Sequence, residues 1–205
     1  MFDLYTAPTT NGMRASIMLE ELGLAYRTHR VALGTTIDVK PPELVEANPA
    51  GTIPTLIDHR DGVSISQSFA IMQYLCEREG RFSFSDAAPR AAMLEWMSFV
   101  MTDIISATHP IFVLGTHLKD TPAHILAHYE ARLLRYFEMA DARLARNRYL
   151  AGQEICVADF ALYPTAHFRR PLIERSNSTP HLERWLAEVG DRPGVTRGMA
   201  VPADE

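Results

Sequence analysis

The chain has 205 residues, 47% of them hydrophobic, which is enough for one large domain or two small ones with packed cores. Its formal net charge is −5 at pH 7, which argues against nucleic acid as a partner because surfaces that bind nucleic acid are basic. The acidic excess lies mainly in residues 1–80, with 10 Asp and Glu against 6 Lys and Arg. An anionic ligand of this region would therefore need local donors such as helix N-termini.

The sequence also predicts the cellular compartment of the protein. It has no run of 18 or more apolar residues, and residues 1–5 lack the basic region and apolar stretch of a signal peptide. The two cysteines, Cys76 and Cys156, do not form a Cys-x-x-Cys pair, so we expect reduced thiols. These features predict a cytoplasmic protein without a membrane partner.

The first third of the chain begins with a predicted β-α-β unit. Residues 2–6 have the composition of a strand, and the loop at residues 7–12 separates them from a stretch with helical spacing. Gly23 suits the C-terminal cap of that helix, and residues 26–33 alternate as a second strand would. Such a unit is right-handed, so its two strands are parallel. In the helix, Ile17, Met18 and Leu22 mark the apolar face, whereas Arg14, Glu20 and Glu21 are expected on the polar face.

A short helix and a hairpin are predicted next. Prolines open the helix at residues 41–47, and Asn48-Pro49 ends it. Residues 55–58 and 63–66 form a hairpin around an Asp-Gly turn, so these strands are antiparallel.

A longer helix at residues 68–78 completes the first domain. Ser68 or Ser66 caps its start, and Gly80 closes it. The predicted order is β-α-β-α-β-β-α, an α/β arrangement.

The remainder of the chain is predicted to be helical. Residues 81–89 lack periodicity and read as a linker between a domain at 1–80 and an all-α helical-bundle domain at 90–205. The first long helix should be kinked or split at His109-Pro110, because proline lacks the N–H that the helix needs. Further helices are predicted from Thr121 to about Arg146, from Val157 to Phe168 and from Thr179 to Val189.

Pro54 stands where a strand would otherwise use its backbone N–H. A proline is tolerated at the first position of a strand, and an X-Pro bond can be cis at modest cost. If the Ile53-Pro54 bond is cis, the chain turns sharply and exposes the backbone N–H and C=O of Ile53. We expect these groups to pair with the backbone of an extended peptide ligand in antiparallel fashion.

Four motifs carry a family resemblance. They are Ala7-Pro8-Thr9-Thr10-Asn11-Gly12, Asn48-Pro49-Ala50-Gly51-Thr52-Ile53-Pro54, Ser66-Gln67-Ser68, and Leu150-Ala151-Gly152 with Cys156-Val157-Ala158-Asp159-Phe160. Together with the element order, they make the chain resemble the cytosolic glutathione transferases over nearly its whole length. The first motif looks like the loop of the bacterial nu-class and fungal prion-like members. The resemblance implies a thioredoxin-like domain, an all-helical domain, glutathione as co-substrate and a two-fold homodimer.

By this resemblance, Thr9 and Asn11 approach the sulfur of glutathione. A free thiol has a pKa near 8.5, and lowering it by two units requires about 2.7 kcal/mol of preferential anion stabilisation. A hydroxyl hydrogen bond and a helix N-terminus, at about 1 kcal/mol or more each, together reach that value. We assign the thiolate contact to the Thr9 hydroxyl, with support from the Asn11 amide. The alternative is that Thr9, Thr10 or Asn11 only caps the helix, and Tyr5 is a weaker candidate because its strand should bury it.

The glutathione-binding residues follow from the same resemblance. At a helix N-terminus, Ser68 and backbone N–H groups would receive the γ-glutamyl carboxylate, while the Gln67 side-chain oxygen accepts from the ammonium. Family members often carry Glu in place of Gln67, so weaker binding is expected. Alternatively, Ser68 is a plain cap and Lys40 a solvated surface charge. The full expected set is Lys40 and Thr52 for the glycyl carboxylate, Ile53 and Pro54 for the cysteinyl backbone, and Gln67 and Ser68.

The second-substrate site is less defined, because apolar pockets depend on packing. Disulfide-reducing relatives place an Arg-Tyr pair in the second long helix, where this chain has His128-Tyr129, so any charge there depends on pH. His124 and His128 lie four residues apart, but they lack a third ligand, and no metal is expected. The candidates for this site are Phe99, Thr102, His109, Phe112 and His128.

The sequence therefore predicts a glutathione transferase or a glutathione-dependent disulfide reductase. Its glutathione thiolate would attack an electrophile or a disulfide. The alternative is a non-catalytic glutathione-binding or regulatory protein with the same fold, because fold does not fix function.

Overall fold

The computed structural model describes residues 1–118 and 120–203. Its first part is a four-stranded sheet with strand order β2-β1-β3-β4. β1 runs parallel to β2 and antiparallel to β3, and β3 is antiparallel to β4. The strands are β1 (Phe2–Thr6), β2 (Tyr26–Arg30), β3 (Thr55–Asp58) and β4 (Val63–Ser66), and the helices beside them are α1 (Thr10–Leu22), α2 (Pro42–Ala47) and α3 (Ser68–Glu79).

The predicted β-α-β-α-β-β-α order is confirmed, with one shorter strand. β2 ends at Arg30 rather than at residue 33. The Val31 N–H still donates to the Thr6 carbonyl at 2.8 Å, but Gly34 has a φ of +73° and turns the chain away. A short 3-10 turn at Ile37–Val39 follows before α2.

The sheet packs differently on its two faces. On one face the Arg78 guanidinium of α3 lies 4.8 Å from the centre of the Phe2 ring. On the same face the Tyr74 hydroxyl donates to the buried Asp58 carboxylate at 2.8 Å. These contacts join α3 to the sheet. The opposite face carries a small apolar cluster of Tyr5, Val31 and Leu44, with Ile53 and Ile57 packed against it.

The second part of the structure is helical. It consists of α4 (Ala87–Phe99), α5 (Ile105–Thr116), α6 (Ala123–Leu144), α7 (Val157–Phe168), α8 (Arg170–Ser176) and α9 (Pro180–Gly190), and α10 (Pro193–Met199) follows it in the chain. The sequence missed α8 and α10. Both have only seven residues, too few to show helical periodicity, and proline near the start of each was the available signal.

The helix is not split at Pro110, so that part of the expectation is wrong, while a kink there stays a prediction. Pro110 lies inside α5, and the irregularity is a π turn at Val100–Ile104 that joins α4 to α5. A proline removes one helical hydrogen bond. The adjacent side chains of Ala107 and Ile111 are nevertheless buried, and α5 packs along α6, so burial on both sides of the proline holds the helix together.

The helix from Ala87 to Thr116 is long and apolar enough, by length and composition alone, to cross a membrane. Only 28% of its most apolar 18-residue window is buried. Met93, Met97 and Ile104 form its buried face. The remaining face leaves apolar side chains such as Phe112 exposed.

The chain divides into two compact units. One comprises residues 1–81 and the segment that begins at Asp191, and the other comprises residues 82–190. The helical domain predicted for residues 90–205 therefore differs from the observed helical unit, because α10 packs against α1.

The contact between α10 and α1 depends on a glycine. Gly198 lies so close to α1 that a Cβ atom there would be 2.5 Å from the Ile17 Cα atom. The Ser16 hydroxyl donates to the Gly198 carbonyl at 2.7 Å. Two ion pairs, from Arg192 to Glu21 and from Arg197 to Glu20, hold the other end of α1.

In the helical unit, the buried carboxylate of Asp159 joins three segments. It accepts hydrogen bonds from the Leu150 N–H at 3.0 Å, the Cys156 N–H at 3.0 Å and the Trp185 indole N–H at 2.8 Å. Complete burial raises the pKa of Asp159, against the effect of these bonds. The bond from Cys156 satisfies a donor at the start of α7, as a helix cap does.

We expect Gly198→Ala to destabilise the protein. The added methyl group would meet backbone atoms of α1, which cannot move without shifting the helix. Such overpacking costs about 1–3 kcal/mol, which should lower the melting temperature by several degrees. Gly115→Ala is the matched control, because no atom lies within 4 Å of its Cβ position, and it should be neutral or slightly stabilising. Equal melting temperatures for the two variants would contradict the tight packing of α10 on α1.

Candidate functional site

The strand register brings three loop segments to one edge of the sheet. Tyr5 of β1 pairs with Thr55 of β3, and Thr55 pairs with Ser66 of β4. The chain beyond these paired residues leads to Thr9 after β1, to Ile53 before β3 and to Gln67 after β4. The N-termini of α1 and α3 begin at the same edge. This edge therefore collects two sets of unpaired helix N–H donors, which suit an anionic ligand.

Thr9 is the N-cap of α1. Its φ and ψ angles are −122° and 155°, and its hydroxyl oxygen accepts from the Gly12 N–H at 3.1 Å. The capping alternative therefore holds for this residue. A hydroxyl group has one proton to donate as well as lone pairs to accept with. The cap leaves that proton available for a ligand, so capping and ligand contact are compatible at Thr9.

Gly12 allows the helix to start this close to the strand. A Cβ atom at residue 12 would lie 2.3 Å from the Thr6 hydroxyl oxygen and 2.5 Å from the Ala7 carbonyl oxygen. Real Cβ atoms do not approach other atoms so closely. Glycine at this position is therefore required for the observed geometry of the first loop.

Asn11 is exposed, and its side chain is hydrogen-bonded to a buried arginine. The Asn11 side-chain oxygen accepts from Nη1 of Arg14 at 2.6 Å. Arg14 is fully buried, so its expected place on the polar face of the helix is wrong. Burial lowers the pKa of Arg14 to about 9, which leaves the guanidinium charged at neutral pH. Sequence analysis missed Arg14 as a site residue, although its spacing of three residues from Asn11 was an available signal.

Gln67 and Ser68 begin α3 in an unusual way. Gln67 occupies the N-cap position with φ of +74°, a conformation that side chains other than glycine rarely adopt. Such strain costs on the order of 1–3 kcal/mol and is concentrated at functional sites. Ser68 is the first helical residue and is 6% exposed. No side chain caps the helix, so the expectation that Ser68 or Ser66 caps it is wrong.

The Ile53-Pro54 peptide bond is cis, and Pro54 is buried. Within the described part of the chain, neither the N–H nor the C=O of half-buried Ile53 has a hydrogen-bond partner. The loop before it is held by the Asn48 side-chain nitrogen, which lies 3.1 Å from the Thr52 carbonyl oxygen and 3.1 Å from the Thr55 hydroxyl. An extended ligand would therefore find a fixed donor and acceptor at Ile53.

Lys40 is part of the same loop rather than a free surface charge. Its ammonium group donates to the Gly51 carbonyl at 2.6 Å, and its side chain is half-buried. Thr52, which follows Gly51, is exposed, and its hydroxyl oxygen accepts from the Asn48 side-chain amide at 3.0 Å. An ammonium group has three donors, so Lys40 retains donors for a carboxylate.

The five residues predicted for a second substrate all lie in the helical unit. In the described residues, the contacts found for them are with other side chains or backbone groups rather than with one another. The Phe99 ring meets Tyr136 edge-on at 5.4 Å, and the Thr102 hydroxyl donates to the Ser98 carbonyl at 2.9 Å. His109 and Phe112 lie on α5, and His128 lies on α6 beside Tyr129.

An aromatic and basic group near Phe99 was missed by sequence analysis. Arg132 lies over the Tyr136 ring at 5.6 Å and donates to its hydroxyl at 3.0 Å. Tyr136 contacts Phe99, which in turn contacts Trp96 at 5.4 Å. Arg132 follows His128 by four residues on the same helix, and that spacing was the available signal.

Two clefts of about 450 and 430 Å³ lie on the sheet face that carries Tyr5. Asp3 lines both, and its carboxylate accepts hydrogen bonds from His29 at 3.0 Å and from His59. Burial alone would raise the pKa of Asp3, but these two bonds, together with the charges of His29 and Arg27, outweigh it and hold the pKa below its usual value. Neither cleft includes Thr9 or Ser68, so we place the functional site at the sheet edge on chemical grounds. Among residues 1–118 and 120–203, no group of three or more His, Cys, Asp or Glu is arranged to hold a metal ion.

A four-stranded mixed sheet with helix N-termini at one edge, a cis proline before β3 and a following helical unit define a thioredoxin-like protein with a helical domain. Sequence models identify the family within this class. The model for the glutathione S-transferase N-terminal domain matches residues 10–78, and that for the C-terminal domain matches residues 91–193. The chain belongs to the glutathione S-transferase family.

Individual relatives are similar over nearly the full length of the chain. The disulfide-bond oxidoreductase YfcG of Escherichia coli is 29% identical, covering 97% of this chain and 94% of YfcG. A glutathione transferase homologue from Lodderomyces elongisporus, solved with two glutathione molecules per subunit, has a TM-score of 0.88 at 31% identity over 98% of both chains. A Pseudomonas putida glutathione transferase with bound glutathione disulfide has a TM-score of 0.85 at 28% identity, covering 98% of this chain and 92% of its own.

Proposed function

We propose that this protein is a glutathione-dependent enzyme that activates the glutathione thiolate for attack on an electrophile or a disulfide. The observation that carries the proposal is the pair of donors at the start of α1. The Thr9 hydroxyl retains its proton, and the Asn11 amide nitrogen is free of Arg14 because Arg14 bonds the amide oxygen. Family membership and the activity of relatives such as the disulfide-bond oxidoreductase YfcG support the same function.

The donors at the start of α1 can supply the free energy needed to lower the pKa of the glutathione thiol. Lowering a thiol pKa by two units needs about 2.7 kcal/mol of preferential stabilisation of the anion. Hydrogen bonds to a charged acceptor contribute about 1.5–3 kcal/mol each, and a helix N-terminus adds about 0.3–1 kcal/mol. Thr9, Asn11 and the first N–H groups of α1 are therefore sufficient.

The rest of glutathione would occupy the same sheet edge. We assign the cysteinyl backbone to Ile53, whose N–H and C=O pair with it, with Pro54 fixing the turn. The strained Gln67 accepts from the γ-glutamyl ammonium. The α3 N–H donors, left without a side-chain cap, and the Ser68 hydroxyl bind the γ-glutamyl carboxylate. Lys40 and Thr52 bind the glycyl carboxylate. Residues 1–80 would thus be the glutathione-binding domain, and the linker predicted for residues 81–89 would end where α4 begins at Ala87.

Both reactions start from the same thiolate. With an electrophile, the sulfur forms a carbon–sulfur bond while the leaving group departs with its electron pair. With a disulfide, the sulfur forms a mixed disulfide and expels a thiolate, and a second glutathione then releases the other thiol and glutathione disulfide. We place the second substrate near Phe99, Thr102, His109, Phe112 and His128 of the helical unit.

We also propose a cytoplasmic homodimer in which the N-terminal domain of one subunit faces the helical domain of the other. Both units have large apolar side chains exposed, which is typical of surfaces that bind a partner. Cys76 and Cys156 are buried free thiols, consistent with a reducing compartment. The exposed residues are Met1, Leu33, Ile37 and Val39 in the first unit and Phe112, Leu118, Ile125, Met139 and Phe168 in the second.

Thr9→Ala should lower kcat/KM for glutathione by about tenfold or more, because a hydrogen bond to the thiolate is lost. Turnover would be measured with 1-chloro-2,4-dinitrobenzene and with 2-hydroxyethyl disulfide. Thr9→Ser retains a hydroxyl and the helix cap, so it should remain close to the original protein. Normal turnover by Thr9→Ala would contradict the assignment, and glutathione binding without turnover of either substrate by the original protein would contradict catalysis.

Ser68→Ala should weaken glutathione binding in titration calorimetry by roughly fivefold to tenfold, since one hydroxyl contact contributes about 1 kcal/mol. The melting temperature should change little, because Ser68 does not cap α3. Ser66→Ala, at the end of β4, is the control and should keep the original affinity. Unchanged affinity in Ser68→Ala would remove this residue from the site.

Size-exclusion chromatography with light scattering should give a mass of about 46 kDa, twice the 23.0 kDa of one chain. A single 23 kDa species for the original protein would contradict the dimer.

A further inference from the structure

Asn11 can act as a donor to sulfur only if its amide is held the right way round. An asparagine side chain has an acceptor oxygen and a donor nitrogen on nearly identical positions. The final torsion of an exposed asparagine is broad and roughly two-fold, so both orientations are accessible to a free side chain. With the oxygen turned outward, the same residue would repel a thiolate. A neighbouring group must therefore stabilise one of the two orientations of the amide.

Arg14 stabilises one orientation because its guanidinium group can only donate hydrogen bonds. A guanidinium has five N–H donors and no acceptor, so it can bond the Asn11 oxygen but never the Asn11 nitrogen. The bond is short, at 2.6 Å from Nη1 to the oxygen, as expected when the donor is charged. Arg14 itself is fully buried and cannot rotate freely. The amide nitrogen of Asn11 is consequently the end that remains available to a ligand.

The position of Arg14 is unfavourable for a helix by itself. A cation is stabilised near the C-terminus of a helix and destabilised near the N-terminus. Arg14 is the fifth residue of α1, and no acidic residue lies in the first turn. The acidic residues of α1, Glu20 and Glu21, lie at the far end, where Arg197 and Arg192 pair with them. The helix dipole therefore does not favour Arg14 at this position, and its burial depends on its own contacts, among them the bond to Asn11.

We propose that Arg14 is a positioning residue for thiolate formation: it holds the Asn11 amide with its nitrogen directed at the glutathione sulfur. The inference rests on the proposed function, since it requires glutathione to be bound at the start of α1. It assigns to Arg14 an effect on the ionisation of the bound thiol rather than on the binding of the tripeptide. The effect passes through Asn11 and should vanish when Asn11 is absent.

The measurement is the pKa of the enzyme-bound glutathione thiol, followed by the ultraviolet absorbance of the thiolate and by the pH profile of kcat/KM. Asn11→Ala should raise this pKa by about one unit, because a charge-assisted donor is lost. Arg14→Met should raise it by a smaller amount, because the released amide can still turn its nitrogen to the thiolate but must give up its second orientation to do so. Below the pKa, kcat/KM should fall roughly tenfold, with little change in the KM for glutathione. The double variant Asn11→Ala/Arg14→Met should show no further rise.

Removing a buried arginine can also prevent folding, so a second variant leaves Arg14 in place. Asn11→Asp keeps an oxygen acceptor for the guanidinium but has no nitrogen donor. It should fold, keep its melting temperature and still raise the thiol pKa by at least the same one unit. Arg14→Lys retains a charged donor and should restore part of the effect seen in Arg14→Met.

Three results would overturn the inference. The first is a thiol pKa that is unchanged in Arg14→Met while Asn11→Ala raises it. The second is additive shifts in the double variant, which would mean that Arg14 acts through its own charge. The third is an unchanged pKa in both Asn11→Ala and Asn11→Asp. In each case Thr9→Ala distinguishes the positioning role of Arg14 from the proposed function. If Thr9→Ala raises the thiol pKa, the thiolate still forms at the start of α1 and the proposed function stands without Arg14. If it does not, the proposed function at this site fails as well.

Discussion

The close approach of α1 to the loop after β1 is the constraint on which the site depends. It exists because residue 12 is glycine, since any side chain there would overlap the Thr6 hydroxyl and the Ala7 carbonyl. This contact sets the position of the first helical turn, with its cap at Thr9 and the pair formed by Asn11 and Arg14. A methyl group added at residue 12 would therefore move every donor that we assign to the sulfur.

The two helices at the sheet edge use their N-termini differently. α1 has a side-chain cap, which satisfies one of its free N–H groups. α3 has no such cap and begins after Gln67, whose backbone is held at φ of +74°. An uncapped helix start and a strained residue are both costly without a ligand. Both features are explained if the free N–H groups of α3 bind the γ-glutamyl carboxylate of glutathione, while the side chains at the start of α1 contact its sulfur.

Much of the first unit was predictable because its signals are local. The β1 strand, the Asp-Gly hairpin and the helix ended by Gly23 each follow from a few neighbouring residues, and the structure has them in place. The same reasoning put Arg14 on the polar face of α1, because periodicity treats every arginine as solvated. Its burial depends on the loop and helices around it, and a single segment does not encode that environment. The family resemblance predicted Thr9, Asn11 and Gln67 as site residues, which stays a prediction, but it did not predict the bond between the Arg14 guanidinium and the Asn11 oxygen.

The errors in the second half of the chain have the same origin. Pro110 was expected to kink or split a helix on the basis of its own chemistry, yet the helix is not split, because the burial of Ala107 and Ile111 outweighs the loss of one hydrogen bond. α10 was invisible because seven residues show no periodicity, and its place beside α1 depends on the absence of a side chain at Gly198. Both cases show tertiary packing overriding a local rule.

The division of labour between the units follows from where the charged and polar donors lie. The groups that we assign to thiol ionisation, Thr9, Asn11 and Arg14, belong to one short stretch of the first unit. The residues assigned to the second substrate belong to the helical unit, where Arg132 and Tyr136 supply a permanent charge and an aromatic surface. On these assignments, thiol acidity and substrate choice would be set by different elements. A substitution on α6 should alter which substrate is used while the bound thiol keeps its pKa, whereas a substitution at the start of α1 should affect the electrophile and disulfide reactions alike.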